Sequence, residues 1–199
     1  VKERRRVELV GAERERARRV ALFVRHVSCG LPDRLLRLLR EEGMRRNELV
    51  YLSASAVPAG RRKSWIREKV IGAGASVMVC NPNTVRTGLN DLVYLCTAWW
   101  HEVDPGGALT FRQANGRLHR PGQTRETEFL VPHYADTAQE IGVDLVARKV
   151  EASEQVDALS VLGALRASGA EEGEEDEEGI GMSIGQIIYE RLRAMRSKA

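Results

Sequence analysis

Short apolar runs separated by helix-length segments constrain this chain more than any other feature. Val20-Ala21-Leu22-Phe23-Val24 is unbroken by polar residues, and its length and β-branched content match a strand buried on both faces. The turn Cys29-Gly30-Leu31-Pro32-Asp33 follows, with Pro32 placed for the first turn of a helix. Leu35, Leu36, Leu38 and Leu39 then give an apolar face, and Gly43 ends the helix. The unit repeats. Leu49–Leu52, Ser76–Cys80, Leu92–Cys96 and Glu128–Val131 read as further strands, and the small-residue loop Ser53–Pro58 opens a helix from about Ala59 to Ile71. Strands alternating with helices predict an α/β fold: a mostly parallel sheet with right-handed crossovers and helices on both faces. Ligands of such sheets bind in the loops after the carboxyl ends of the strands.

At 199 residues the chain is long enough for one full core with appendages. No apolar run approaches the roughly 18 residues of a membrane span, and the arginine-rich N-terminal pattern lacks the apolar centre and cleavage site of a signal peptide. The expected location is cytoplasmic. Cys29, Cys80 and Cys96 are far apart and flanked by aliphatic residues, which favours reduced, buried thiols. No metal site is expected, since His101-Glu102-x-Asp104 lacks a companion ligand at fixed spacing.

Charge is segregated although the formal net is only +3. Basic residues outnumber acidic ones from Lys2 to Arg46, whereas Glu171–Glu178 is acidic at every position but Gly173. A basic end of this kind suits a polyanion. Within it, the Arg-Glu alternation from Glu3 to Arg19 reads as a solvated helix held by i,i+4 pairs, a leading helix or linker over residues 1–19.

The clearest chemical signal is Gln113-Ala114-Asn115-Gly116-Arg117-Leu118-His119-Arg120-Pro121-Gly122-Gln123. On a helix, arginines three apart share one face, with Gln113 a turn earlier on the same side. Two planar, permanently charged guanidinium groups side by side can follow the charge that spreads over a phosphoryl group during transfer. Arg-x-x-Arg alone also fits a solvated basic helix end.

The run Gln-Ala-x-Gly-Arg-x-His-Arg-x-Gly-Gln resembles the sixth motif of superfamily-two helicases, most closely the SWI/SNF-type DNA translocases. Gln113, Gly116, Arg117, His119, Arg120, Gly122 and Gln123 occupy the pattern's positions. Upstream, Thr87-Gly88-Leu89-Asn90 is similar to the fifth motif in order and spacing, with Val85 and Arg86 where the SWI/SNF branch carries small residues. The resemblance implies a RecA-like helicase C-terminal lobe over residues 20–150. It implies Arg120 as a catalytic finger, Arg117 as its partner, and Gln113 as a sensor of the nucleotide state, with Gly116 and Gly88 also at the nucleotide. His119 becomes a polar link between sensor and nucleotide; alone it reads as a packing residue. Thr87, Gly88 and Asn90 become candidates for contacting a nucleic-acid strand and relaying that state, although an unaided polar loop caps the next helix. Ser53 and Ser55, with Arg62 in the next helix, sit where the family places a backbone-contacting loop and a basic helix; ordinary capping explains them equally well.

The cofactor implied is ATP, with Mg2+ held by an N-terminal lobe, because the chain contains neither a Gly-x-x-x-x-Gly-Lys-Ser/Thr loop nor an acidic magnesium box. The expected partners are that N-terminal RecA-like lobe and DNA rather than RNA, with no membrane. The second motor lobe of an ATP-dependent DNA helicase or translocase is thus the expected function, inactive alone. The alternative is a non-catalytic nucleic-acid or protein-binding module on the same fold. Trp99-Trp100, placed in a long loop, read as a hydrophobic plug or a base-stacking wedge. A closing helix is expected to reach about Lys149, followed by an acidic, partly disordered linker over 151–182, disordered from Ser168 to Gly179. A helix over 183–199 has Ile184, Ile187, Ile188, Leu192 and Met195 at helical spacing.

Overall fold

The structure is a computed structural model that describes residues 2–28, 30–86 and 88–165 of the chain. It forms two compact units. One holds the residues up to Glu102 together with Thr110–Pro132, the other Val103–Leu109 with the described residues from His133 onward.

The first unit contains β1 (Val20–Phe23), β2 (Leu49–Leu52), β3 (Val77–Cys80), β4 (Thr97–Trp100) and β5 (Glu128–Leu130). They form one sheet in the order β2-β3-β1-β4-β5. Every pairing is parallel. β1 lies at the centre and is buried throughout, as its unbroken apolar run requires. Phe23 aligns with Cys80 on one side and Trp100 on the other, and Cys80 aligns with Leu52. Four strands therefore end level, and the loops that follow open along one rim.

Val20, Leu22, Val24, Val77, Val79 and Trp99 pack against α1 (Lys2–Glu15) through Val7 and Val10, and against α2 (Leu31–Glu41) through Leu31, Leu35, Leu36 and Leu39. The alternate residues Phe23 and Trp100 face the other way. Their ring centroids lie 4.8 Å apart, and Trp100 meets Phe111 of α5 (Ala108–Asn115) at 4.7 Å.

The solvated-helix expectation for residues 3–19 fails for α1. An exposed Arg5–Glu8 pair at 2.9 Å is of the kind expected, but Val7 and Val10 are buried. Two valines contribute roughly 1.5–3 kcal/mol each, little for ordering a helix of 14 residues, and the charged residues add long-range anchors. Buried Glu13 accepts from Thr97 Oγ1 at 2.9 Å and pairs with Arg18 Nε at 3.0 Å, while Arg18 also donates to the Glu126 carbonyl at 2.9 Å. Arg14 forks onto Glu48 at 3.1 and 3.0 Å.

Three other expectations are corrected. Leu92–Cys96 is not the fourth strand: Asp91–Tyr94 is a 3-10 turn and β4 begins at Thr97. Two apolar runs abut there, and only the second pairs with β1, since the Arg19 carbonyl accepts from the amides of Cys96 and Thr97 and so starts the ladder. Trp99 and Trp100 are consequently buried strand residues, with no face free to stack on a base. The helix expected from Ala59 to Ile71 is composite: a 3-10 turn (Ala59–Arg61), one α-helical turn (α3, Arg62–Trp65) and a π-helical stretch (Ile66–Gly72). α4 (Pro82–Val85) is a single turn capped by the Asn81 side chain, which accepts from the Asn83 amide at 2.9 Å.

In the second unit, α6 (Ala138–Leu165) buries Ile141, Leu145 and Val146 and continues past Lys149, where the closing helix was expected to stop. Lys149 Nζ donates to the Pro105 carbonyl at 3.3 Å. The stretch 171–178 and the 183–199 helix lie outside the described residues, as does Cys29. Cys80 and Cys96 are free and buried, and burial pushes the Cys80 thiol far above its ordinary value, so it is inert as a nucleophile. Among the described residues no helix is long and apolar enough to cross a membrane.

Burial pushes the Glu48 carboxyl up, but the Arg45 amide and guanidinium and the Arg14 guanidinium outweigh it and hold the group below its ordinary value. The folded state then binds this proton less readily than the unfolded chain. The stabilisation is present above the ordinary carboxylate range and is lost as pH falls through the folded value. Glu48→Gln should cost on the order of 1.5–3 kcal/mol at neutral pH. In denaturant titrations the gap from wild type should shrink steadily as pH falls below the ordinary carboxylate value.

Candidate nucleotide and nucleic-acid site

Trp100, the last residue of β4, donates its indole N–H to Asn115 Oδ1 at 2.9 Å inside the core. This bond fixes the end of α5. Gly116 follows, and a side chain there would bring a Cβ to 3.1 Å from the Arg112 carbonyl, so any larger residue would crowd the turn. The amides of Leu118 and His119 both donate to the Asn115 carbonyl, at 2.9 and 3.2 Å. Arg117 and Arg120 therefore do not share a helix face as expected. They lie on the turn beyond α5, and Asn115 and Gly116 set its course.

The two guanidinium groups still converge. Arg117 donates through Nε and Nη2 to the Arg86 carbonyl at 3.2 and 2.7 Å. Arg120 donates through Nε to the Gly116 carbonyl at 3.0 Å and through Nη1 to Asn90 Oδ1. Burial and the neighbouring Arg120 charge hold the Arg117 guanidinium below its usual value. Neither arginine forms an ion pair among the described residues, whereas Arg14, Arg18, Arg34, Arg45 and Arg67 each meet a carboxylate. Two like charges held together on carbonyl and amide oxygens form a site that an anion would relax.

The loop they rest on carries the second motif. Gly88 has φ +72°, a left-handed conformation that favours glycine. Leu89 is buried and Asn90 exposed. Thr87 lies outside the described residues. Gln113 is half-buried on α5 and makes no hydrogen bond to either arginine. His119 is exposed and bonds Thr127 Oγ1 through Nδ1 at 3.0 Å. Gln123 acts as a suture: its amide nitrogen reaches the carbonyls of Val93, Leu95 and Leu118 at 2.9–3.0 Å.

A second group occupies the same rim. Ser53, Ser55, Arg62, Asn81, Asn83 and Thr84 line a cleft of about 580 Å³ after β2 and β3. The two serine hydroxyls bond each other at 2.8 Å, and Arg62 donates to the carbonyls of Val57 and Thr84 at 3.3 and 3.1 Å. The cleft group and the arginine pair share no hydrogen bond, but both lean on one backbone segment: Arg62 on the Thr84 carbonyl, Arg117 on that of Arg86.

Neither a protein-family model nor a curated protein matches the chain by sequence. Among solved structures it is similar to the C-terminal part of the Fun30 ATPase domain, with a TM-score of 0.55 and 18% identity over 70% of this chain. The chain shares with it a RecA-like α/β fold. It is also similar to T4 UvsW, with a TM-score of 0.53 and 16% identity over 75% of this chain. The chain spans 43% and 32% of those two chains respectively. At such identities the likeness is one of fold.

Sequence reasoning missed Asn115, Arg86 and Trp100 as organisers of the site. A polar Asn115 between buried Ala114 and the Gly116 turn was the available signal; Arg86 acts through its carbonyl, which no side-chain pattern reveals. Asn115→Ala would strand the buried Trp100 N–H and should cost about 1–3 kcal/mol, seen as a lowered midpoint in thermal or urea unfolding of the lobe.

Proposed function

We propose that the chain is the second motor lobe of an ATP-dependent DNA helicase or translocase. In this role Arg117 and Arg120 act on ATP bound, with Mg2+, by an N-terminal RecA-like lobe. The supporting observation is the convergent arginine pair without a carboxylate partner. Of the five N–H donors on a guanidinium, Arg117 commits two to the Arg86 carbonyl, and Arg120 commits one to the Gly116 carbonyl and one to Asn90. The remainder are free of carboxylates and suit phosphate oxygens, and the pair is rigidly mounted through Asn115 and Gln123.

ATP would supply a phosphoanhydride whose cleavage spreads negative charge over the transferring group. Arg120 is the finger: its bond to Asn90 is a resting contact that it can exchange for a phosphate oxygen. Arg117, fixed by two bonds to one carbonyl, holds the second positive charge beside it. Preorganised charge of this sort stabilises the transition state only when the lobes close. The lobe alone is therefore inactive. Gly88 lets the loop carrying Asn90 approach the nucleotide, Gly116 sets the arginine turn, and Gln113 senses the nucleotide from α5. Ser53, Ser55 and Arg62 in the cleft, with Thr87 and Asn90, grip the backbone of DNA. Phosphate oxygens there would meet hydroxyls, amides and one guanidinium without any reading of base sequence.

The test is ATP turnover by the intact protein with and without duplex DNA, comparing wild type with Arg120→Ala and Arg120→Glu. Stimulation by DNA in wild type and a fall of ~10³-fold or more in both variants, with unfolding midpoints unchanged, is expected. Turnover equal to wild type in the variants would remove the finger role. Binding of DNA without turnover in any protein would make the chain a non-catalytic nucleic-acid module.

A further inference from the structure

Asp91 follows Asn90, the residue on which Arg120 rests, and begins the 3-10 turn Asp91–Tyr94. Its Oδ1 accepts from both Nε and Nη2 of Arg67, at 3.2 and 3.1 Å. Its other oxygen, Oδ2, is buried with no hydrogen-bond partner among the described residues. A guanidinium facing a carboxylate frequently forms two parallel bonds, one to each oxygen, as Arg14 does with Glu48. Here both donors crowd onto one oxygen, and an acceptor that needs a partner is left without one.

Arg67 sits in the π-helical stretch Ile66–Gly72. Such wide turns in a helix recur at functional sites. The same continuous helical segment, Ala59–Gly72, carries Arg62, whose guanidinium lines the cleft and is tied to the Val57 and Thr84 carbonyls. Buried Ile66 and Val70 anchor the segment, and Leu92 anchors the turn after Asp91. A shift of the Arg62 end on filling the cleft thus has a stiff lever to act through, and Arg67–Asp91 is the side-chain contact at its far side.

We propose that Arg67 and Asp91 are a positioning pair that couples occupancy of the cleft to the release of Arg120 from Asn90. In the arrangement seen, the pair is monodentate and Arg120 is parked. Moving the helix so that Arg67 engages Oδ2 as well completes the fork and satisfies the orphaned oxygen. The same motion turns the residue before Asp91, and Asn90 withdraws its Oδ1 from Arg120. Neither Arg67 nor Asp91 touches nucleotide or nucleic acid in this scheme. Their role exists only in a motor of the kind proposed above.

The experiment is a double-mutant cycle in the intact protein with Arg67→Ala, Asp91→Asn, the combination of the two, and the charge swap Arg67→Asp with Asp91→Arg. Basal ATP turnover, duplex-stimulated turnover and the DNA concentration for half-stimulation are read for each, with unfolding midpoints as the folding control. Each single variant should lower stimulation by roughly 5–20-fold, within the range of allosteric couplings, while basal turnover stays within about twofold. The double variant should lose no more than either single one, and the swap should restore part of the stimulation. Losses that multiply, a swap no better than the single variants, or basal and stimulated rates falling together would overturn the pairing. Full stimulation in every variant would overturn it while leaving the motor intact; absence of stimulation in wild type would overturn both.

Discussion

One buried hydrogen bond, from the Trp100 indole to Asn115, joins the end of the β4 strand to the end of the α5 helix. Around it, Phe23, Trp100 and Phe111 form a continuous ring contact from the sheet to the helix. An unpaired indole N–H at this depth would cost about 1–3 kcal/mol, so Asn115 is held in one place. Its carbonyl in turn receives two amides of the arginine turn. The position of Arg117 and Arg120 is thus inherited from a strand in the core. A level parallel rim supplies the rest, because the loops bearing Ser53, Asn81, Arg86 and Asn90 all begin where the strands stop.

The electrostatics of the fold divide along the same lines. Away from the rim, charge is neutralised locally: Glu13 with Arg18, Glu48 with Arg14 and Arg45. These pairs fix α1 to the strand starts and turn a helix of poor apolar content into part of the core. On the rim, two arginines stand together on neutral oxygens. Neutral acceptors hold a guanidinium in place without cancelling its charge, which an ion pair would do. That difference separates a structural arginine from one available to a phosphate.

Much of this was legible in the chain itself, and the failures have definite causes. β1, β2 and β3 are single apolar runs bounded by turns, so length and composition were enough, and β5 is a short run led by Glu128. Leu92–Cys96 abuts Thr97–Trp100, and nothing local says which of two apolar runs pairs with β1; that is decided by register against Val20. α1 looked solvated because its anchors, Glu13 to Thr97 and Arg14 to Glu48, join residues remote in sequence. The arginine pair was visible because its motif is contiguous, although α5, the helix on which the spacing argument relied, ends at Asn115, before either arginine. Arg67 and Asp91, 24 residues apart, leave no pattern at all. The roles assigned to Gln113 and His119 rest on motif resemblance, since the geometry gives neither a bond to the arginines.

The claim that these two arginines serve a nucleotide held elsewhere is open to direct chemical footprinting. Phenylglyoxal modification of arginines in the intact protein, read by mass spectrometry, would be compared with no nucleotide, with ADP, and with ADP plus a metal fluoride that mimics the transferring phosphoryl group. Protection of Arg117 and Arg120 with the fluoride complex but not with ADP alone, while exposed Arg37 and Arg40 react equally in all three states, is the predicted result. Equal modification of Arg117 and Arg120 in every state, with the fluoride complex bound, would contradict it.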